Sequence, residues 1–115
     1  MRKTIFLFLI LASVVFYTPA WAHPPKDIQI TFDPATKVLK AVIVHEVRDA
    51  SKHFIKKVDV SLNGKEVIIH LLKRQDNDVT QTVSYLVPDI NSGDTLEVEG
   101  YCNIAGKLAK SITVQ

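Results

Sequence analysis

From residue 27 onward, apolar and polar positions alternate along most of the chain. "DIQITF" sets Ile28, Ile30 and Phe32 on one side of an extended segment. "DPAT" follows as a turn, with Pro34 behind Asp33. "KVLKAVIVHEV" is dense in Val and Ile and reads as a strand as far as Val47, where the polar loop "RDASK" begins. "HFIKKVDVSL" predicts a strand with Phe54, Val58, Val60 and Leu62 on one face. Asn63-Gly64 joins it to "KEVIIHLLKR", and an Asn-Gly pair between two apolar runs is a strong hairpin signal. "QDND" turns the chain into "VTQTVSYLV", "PDINSGD" is a loop, and "TLEVEGYC" alternates again up to Cys102. "NIAG" turns once more and "KLAKSITV" closes the chain. Helical periodicity is absent after residue 22. About seven short strands with turn signals between them predict an all-β, immunoglobulin-like antiparallel β-sandwich.

The first 22 residues follow another rule. Arg2 and Lys3 precede an apolar stretch over residues 5–17, and Ala20-Trp21-Ala22 supplies the small-x-small pattern of a signal-peptidase site. The apolar stretch is shorter than the roughly 20 residues of a spanning helix, and it holds no cysteine for a lipid anchor. Residues 1–22 are therefore expected to be a signal peptide cut after Ala22, with residues 23–115 as one secreted or periplasmic domain. Removing Arg2 and Lys3 brings the 14 basic residues of the full chain to 12, level with its 12 acidic ones. A near-neutral domain lacks the basic excess of a nucleic-acid or anionic-membrane binder. Lys56-Lys57 and Lys73-Arg74 are its only basic doublets, and solvated strand or loop positions account for them.

Cys102 is the only cysteine, so no internal disulfide can form. An unpaired thiol in an oxidising compartment is a liability unless buried, metal-bound or functional. Four histidines, His23, His45, His53 and His70, complete the candidate chemistry. The chain has no nucleophile elbow, Gly-rich phosphate loop, CxxC or HExxH, so hydrolase and nucleotide chemistry lack support. His23 would become the first residue, either a frayed terminus or a chelator through imidazole and α-amine. His45 and His53 flank the "EVRDASK" loop at strand ends, as exposed loop residues or as ligands. His70 lies mid-strand and reads as a satisfied strand histidine. Cys102 alone is as compatible with an inert buried thiol as with a ligand. Together, three histidines and a cysteine near strand ends form a mixed nitrogen and sulfur set suited to iron, zinc or copper.

"VHEVRDASKHFIKKVDVSLNG" with "GDTLEVEGYCNIAGKL" resembles the iron-binding domain of superoxide reductases, the neelaredoxin and desulfoferrodoxin group. That family has an immunoglobulin-like sandwich whose iron takes four imidazoles in a plane and a cysteine sulfur axially. The resemblance spans nearly all of residues 23–115. It implies a mononuclear non-haem iron held by His23 in "HPP", His45, His53 in "HFIKKV", and Cys102 in "YCNIAG", with Asn103 and Gly106 in register. It implies one-electron reduction of superoxide to hydrogen peroxide, fed by an electron donor the sequence does not identify.

The chain departs from the family in three places, the first being the loop between His45 and His53, which lacks the family's His-Pro start and is slightly longer. Ala105 stands where the Cys-Asn-x-His-Gly motif has its fourth histidine, and the family's lysine before the first histidine falls on Ala22. The α-amine, a water or His70 would fill the missing position, and Lys26 or Lys52 would replace the lost charge. Two other readings remain. One is a non-catalytic metal binder for iron or copper centred on His23. The other is a metal-free interaction module, since the same segments resemble the immunoglobulin-like partner subunit of the thiosulfate-oxidising carrier complex. No nucleic-acid partner, and no membrane once the signal is removed, is expected; a homo-oligomer stays open.

Overall fold

A computed structural model of the chain describes residues 23–115. The expected signal peptide lies outside the described residues. Seven strands and no helix are found among the described residues: β1 (Asp27–Asp33), β2 (Val38–Val44), β3 (Ile55–Leu62), β4 (Lys65–Leu71), β5 (Thr80–Leu86), β6 (Thr95–Cys102) and β7 (Lys107–Thr113). They form two antiparallel sheets, ordered β1-β2-β5 and β4-β3-β6-β7. The β-sandwich expected from the alternation is the fold observed.

Alternation builds the core directly. Leu39, Ala41 and Ile43 of β2 face Val58, Val60, Leu96 and Val98 of the other sheet, all fully enclosed. At about 25 cal/mol per Å², each of these Val, Leu and Ile side chains stabilises the fold by about 1.5–3 kcal/mol relative to exposure. The β3–β4 hairpin turns on Asn63 and Gly64, with φ of 51° and 81°. Positive φ at both central residues makes the tight turn that Asn-Gly favours.

Two boundaries differ from the sequence reading. β2 stops at Val44 instead of running to Val47, because beyond it the N–H groups of His45 and Val47 bond to Val79 and Asp78 outside the regular ladder. The pairing of β3 with β6 shifts between Ile55 and Lys57. That irregularity changes the phase of the strand, so Ile55 enters the core and Phe54 stays half-buried ahead of β3.

Antiparallel order also decides which segments meet. Asp27 pairs with Val44, Val44 with Thr80, Ile55 with Cys102, Lys57 with Leu71 and Tyr101 with Lys107. One end of the sandwich therefore gathers the entry to β1, the β2–β3 and β4–β5 crossings, and the β6–β7 turn.

Candidate metal centre

At that end stand His23 before β1, His45 after β2, His53 before β3 and Cys102 at the end of β6. Backbone contacts hold each in place. Lys26 N–H donates to Val44 O at 2.7 Å, extending the β1–β2 pairing toward His23. His45 N–H donates to Val79 O at 2.8 Å, and His53 N–H donates to Asp49 O at 2.9 Å. Cys102 N–H donates to Gly106 O at 2.9 Å, closing the β6–β7 turn.

The three imidazoles converge. One ligating atom from each of His23, His45 and His53 lies within 4.8 Å of the others. Their ring centroids are 4.9 Å (His23–His45), 5.2 Å (His23–His53) and 4.8 Å (His45–His53) apart. His45 is fully buried, while His23 and His53 are half-buried and line a cleft of about 450 Å³ with Lys52, Asp49 and Ile104. Three imidazoles so placed could hold a metal ion. Cys102 is not part of that triad but reaches it through His53, whose Nε2 lies 3.1 Å from Cys102 Sγ. The sulfur accepts a hydrogen bond from the N–H of Ile104 at 3.4 Å.

The protonation chemistry favours lone pairs. Burial, then the neighbouring His45 and His23, hold the His53 pKa below the ordinary histidine value. His23 Nδ1 lies 3.0 Å from Pro24 O. A carbonyl only accepts, so Nδ1 carries the proton and a neutral His23 ring keeps its lone pair on Nε2.

Asn103 and Gly106 do structural work around the cluster. Asn103 Oδ1 accepts from Phe54 N–H at 2.9 Å, its Nδ2 donates to Lys52 O at 3.0 Å, and its own N–H donates to Phe54 O at 2.9 Å. This clamp ties the turn after Cys102 to the segment carrying His53. Gly106 has φ of 90°, and a Cβ there would lie 2.9 Å from Pro24 N. The bare glycine lets the chain beside His23 lie against the turn.

His70 is elsewhere: its Nδ1 lies 2.7 Å from the Tyr85 hydroxyl, and it is outside the cluster. Lys52 lines the cleft, whereas Lys26 does not. Sequence reasoning passed over Gln75, which is fully buried beside His45. A lone glutamine in "KRQDND" reads as a turn residue, and no pattern marks it as anything else. In comparisons with protein-family models and with curated proteins, nothing matches this chain.

Proposed function

We propose that the protein is an exported, periplasmic or secreted, mononuclear non-haem iron protein of superoxide-reductase type, with His23, His45, His53 and Cys102 as the iron ligands. The observation that carries this reading is the convergence of three imidazoles with a cysteine sulfur 3.1 Å from His53 Nε2. That separation is short enough for the nitrogen and the sulfur to reach the same ion. The roles of Asn103 and Gly106 also support it, since they explain why the Cys-Asn-x-x-Gly spacing accompanies such a site.

Reduction of superoxide to hydrogen peroxide takes one electron and two protons. Iron held by His23, His45, His53 and Cys102 would supply the electron, with the thiolate making it a stronger donor and an external reductant needed to restore it. The chain's residues supply access and charge. The cleft opens beside His23 and His53, and Lys52 on its wall attracts an anion. The lowered pKa of His53 favours its neutral form, which has a lone pair to offer a metal.

A second reading is favoured by Ala105. It is exposed in the β6–β7 turn and has no ligating atom. Three imidazoles in place of four suit a non-catalytic iron or copper binder equally well.

The test begins with protein supplied with ferrous iron. Stoichiometric iron is expected, with a visible thiolate-to-iron charge-transfer band after oxidation that Cys102→Ala abolishes. No bound iron and no band would end the iron reading. Rapid superoxide consumption by the loaded protein would then separate the enzyme from the passive binder.

A further inference from the structure

Gln75 lies in the crossing between β4 and β5 and is 0% exposed. Its side-chain amide meets four partners. Nε2 donates to His45 O at 2.7 Å and to Asn77 O at 2.9 Å. Oε1 accepts from the N–H of Ile55 at 3.2 Å and lies 2.9 Å from His45 Nδ1. Two carbonyls at one end and an N–H at the other admit a single orientation of the amide. A flip would set Oε1 against two acceptors and the NH₂ against a donor. His45 Nδ1 lies 2.9 Å from that fixed Oε1, and Nε2, on the cluster side, lies 3.2 Å from His23 O, so both ring nitrogens face acceptors and a neutral ring can donate to only one of them. Donation to the nearer, fixed Oε1 puts the proton on Nδ1 and leaves the lone pair on Nε2.

We propose that Gln75 is a positioning residue of the metal centre, holding His45 in the tautomer and ring orientation that present Nε2 to an ion. The proposal rests on the metal-binding reading above. His45 needs such a hold because regular β1–β2 pairing ends at Val44, one residue earlier. Gln75 binds the backbone of His45, the start of β3 and its own turn at once, so the ring is fixed relative to both sheets. Ligating histidines commonly pass their second N–H to a fixed acceptor, which sets the tautomer and strengthens the ligand.

Two substitutions separate this role from a merely structural one. Gln75→Met and Gln75→Glu both remove the donors to His45 O and Asn77 O. Only Gln75→Glu keeps an acceptor for His45 Nδ1. Nitrogen-15 spectra of the metal-free protein in mildly alkaline buffer report the tautomer, and titration with cobalt(II) reports affinity. The wild type should show the proton on His45 Nδ1. Gln75→Glu should keep that tautomer and bind cobalt within a factor of a few of the wild type. Gln75→Met should show mixed tautomers and bind about 10- to 100-fold more weakly. A wild type that binds cobalt with the proton on Nε2 would overturn the role of Gln75 alone. So would a Gln75→Glu loss as large as that of Gln75→Met, or a Gln75→Met variant indistinguishable from wild type. A wild type that binds no cobalt would overturn the metal reading, and the role of Gln75 toward an ion with it. The tautomer measurement on the wild type needs no variant to fold.

Discussion

Replacing Gly106 by alanine should weaken metal binding without dismantling the sandwich. The added Cβ would lie 2.9 Å from Pro24 N and 3.0 Å from its Cα and Cβ. Ordinary contact begins at 3.4 Å, so Pro24 must retreat by about 0.5 Å, and it is joined directly to His23. The obstacle is backbone and proline ring, which cannot rotate out of the way. The φ of 90° adds strain of about 1–3 kcal/mol for a residue with a Cβ. Displacing one of three converging imidazoles should cost about 10- to 100-fold in affinity, or about 1.4–2.8 kcal/mol. Gly64→Ala is the control. Gly64 also has positive φ, at 81°, but a Cβ there meets nothing within 4 Å, and the β3–β4 turn lies at the opposite end of the sandwich. Both variants should lose stability in urea unfolding of the metal-free protein, Gly106→Ala the more because it adds the clash with Pro24 to the φ strain the two share. Only Gly106→Ala should lose affinity in a cobalt(II) or iron(II) competition titration, approaching His23→Ala. Wild-type affinity in Gly106→Ala, or an equal loss in Gly64→Ala, would refute the reasoning.

Because the folded pKa of His53 lies below its ordinary value of about 6.5, the unfolded chain takes up that proton first as pH falls. Metal-free stability should therefore be fully held above about 6.5 and drop as pH falls through the depressed folded value; urea midpoints should show this slope in the wild type and a flatter one in His53→Gln. Asn103→Ala removes the bonds to Phe54 N–H and Lys52 O and should cost about 1–3 kcal/mol, with faster amide exchange at Phe54 as its local signature. Ala105→His is an exposed substitution that should change metal-free stability by no more than about 0.5 kcal/mol. If the turn matches the motif it resembles, that variant should bind iron at least about tenfold more tightly, a gain of about 1.4 kcal/mol; unchanged affinity would count against the resemblance.

The sheets were legible because a strand buried on one face must alternate, and Ile28, Leu39, Ala41, Ile43, Leu96 and Val98 do so. The end of β2 was not, since apolar residues continue to Val47 while the N–H groups of His45 and Val47 find partners outside the ladder. The face assigned to Phe54 was wrong for a similar reason: a shift in the β3–β6 pairing leaves no mark in the period-two pattern. The histidines were visible as residue types near strand ends, but their meeting depends on strand order and register across both sheets. Gln75 was invisible, because its role rests on burial and on contacts to His45 and Ile55, distant in the sequence, as well as to Asn77 of its own turn.

The site also bears on how so small a sandwich is held together. His23 and His45 adjoin β1 and β2 of one sheet, while His53 and Cys102 belong to β3 and β6 of the other. An ion shared by these groups would tie the two sheets at their open end, a cross-link between sheets of the kind a disulfide supplies in immunoglobulin-like domains with more cysteines. Ligands at residues 23, 45, 53 and 102 span most of the described chain, so bringing them to one ion costs the unfolded chain loop-closure entropy that the folded one has already met. Binding confined to the folded state at a free-ion concentration 100 times the dissociation constant adds about 2.7 kcal/mol of stability. In a domain of about 90 residues, that corresponds to a rise of about 10–20 °C in the thermal midpoint. The rise should vanish in Cys102→Ala only if the thiolate carries most of the affinity, and should merely shrink if the three imidazoles suffice.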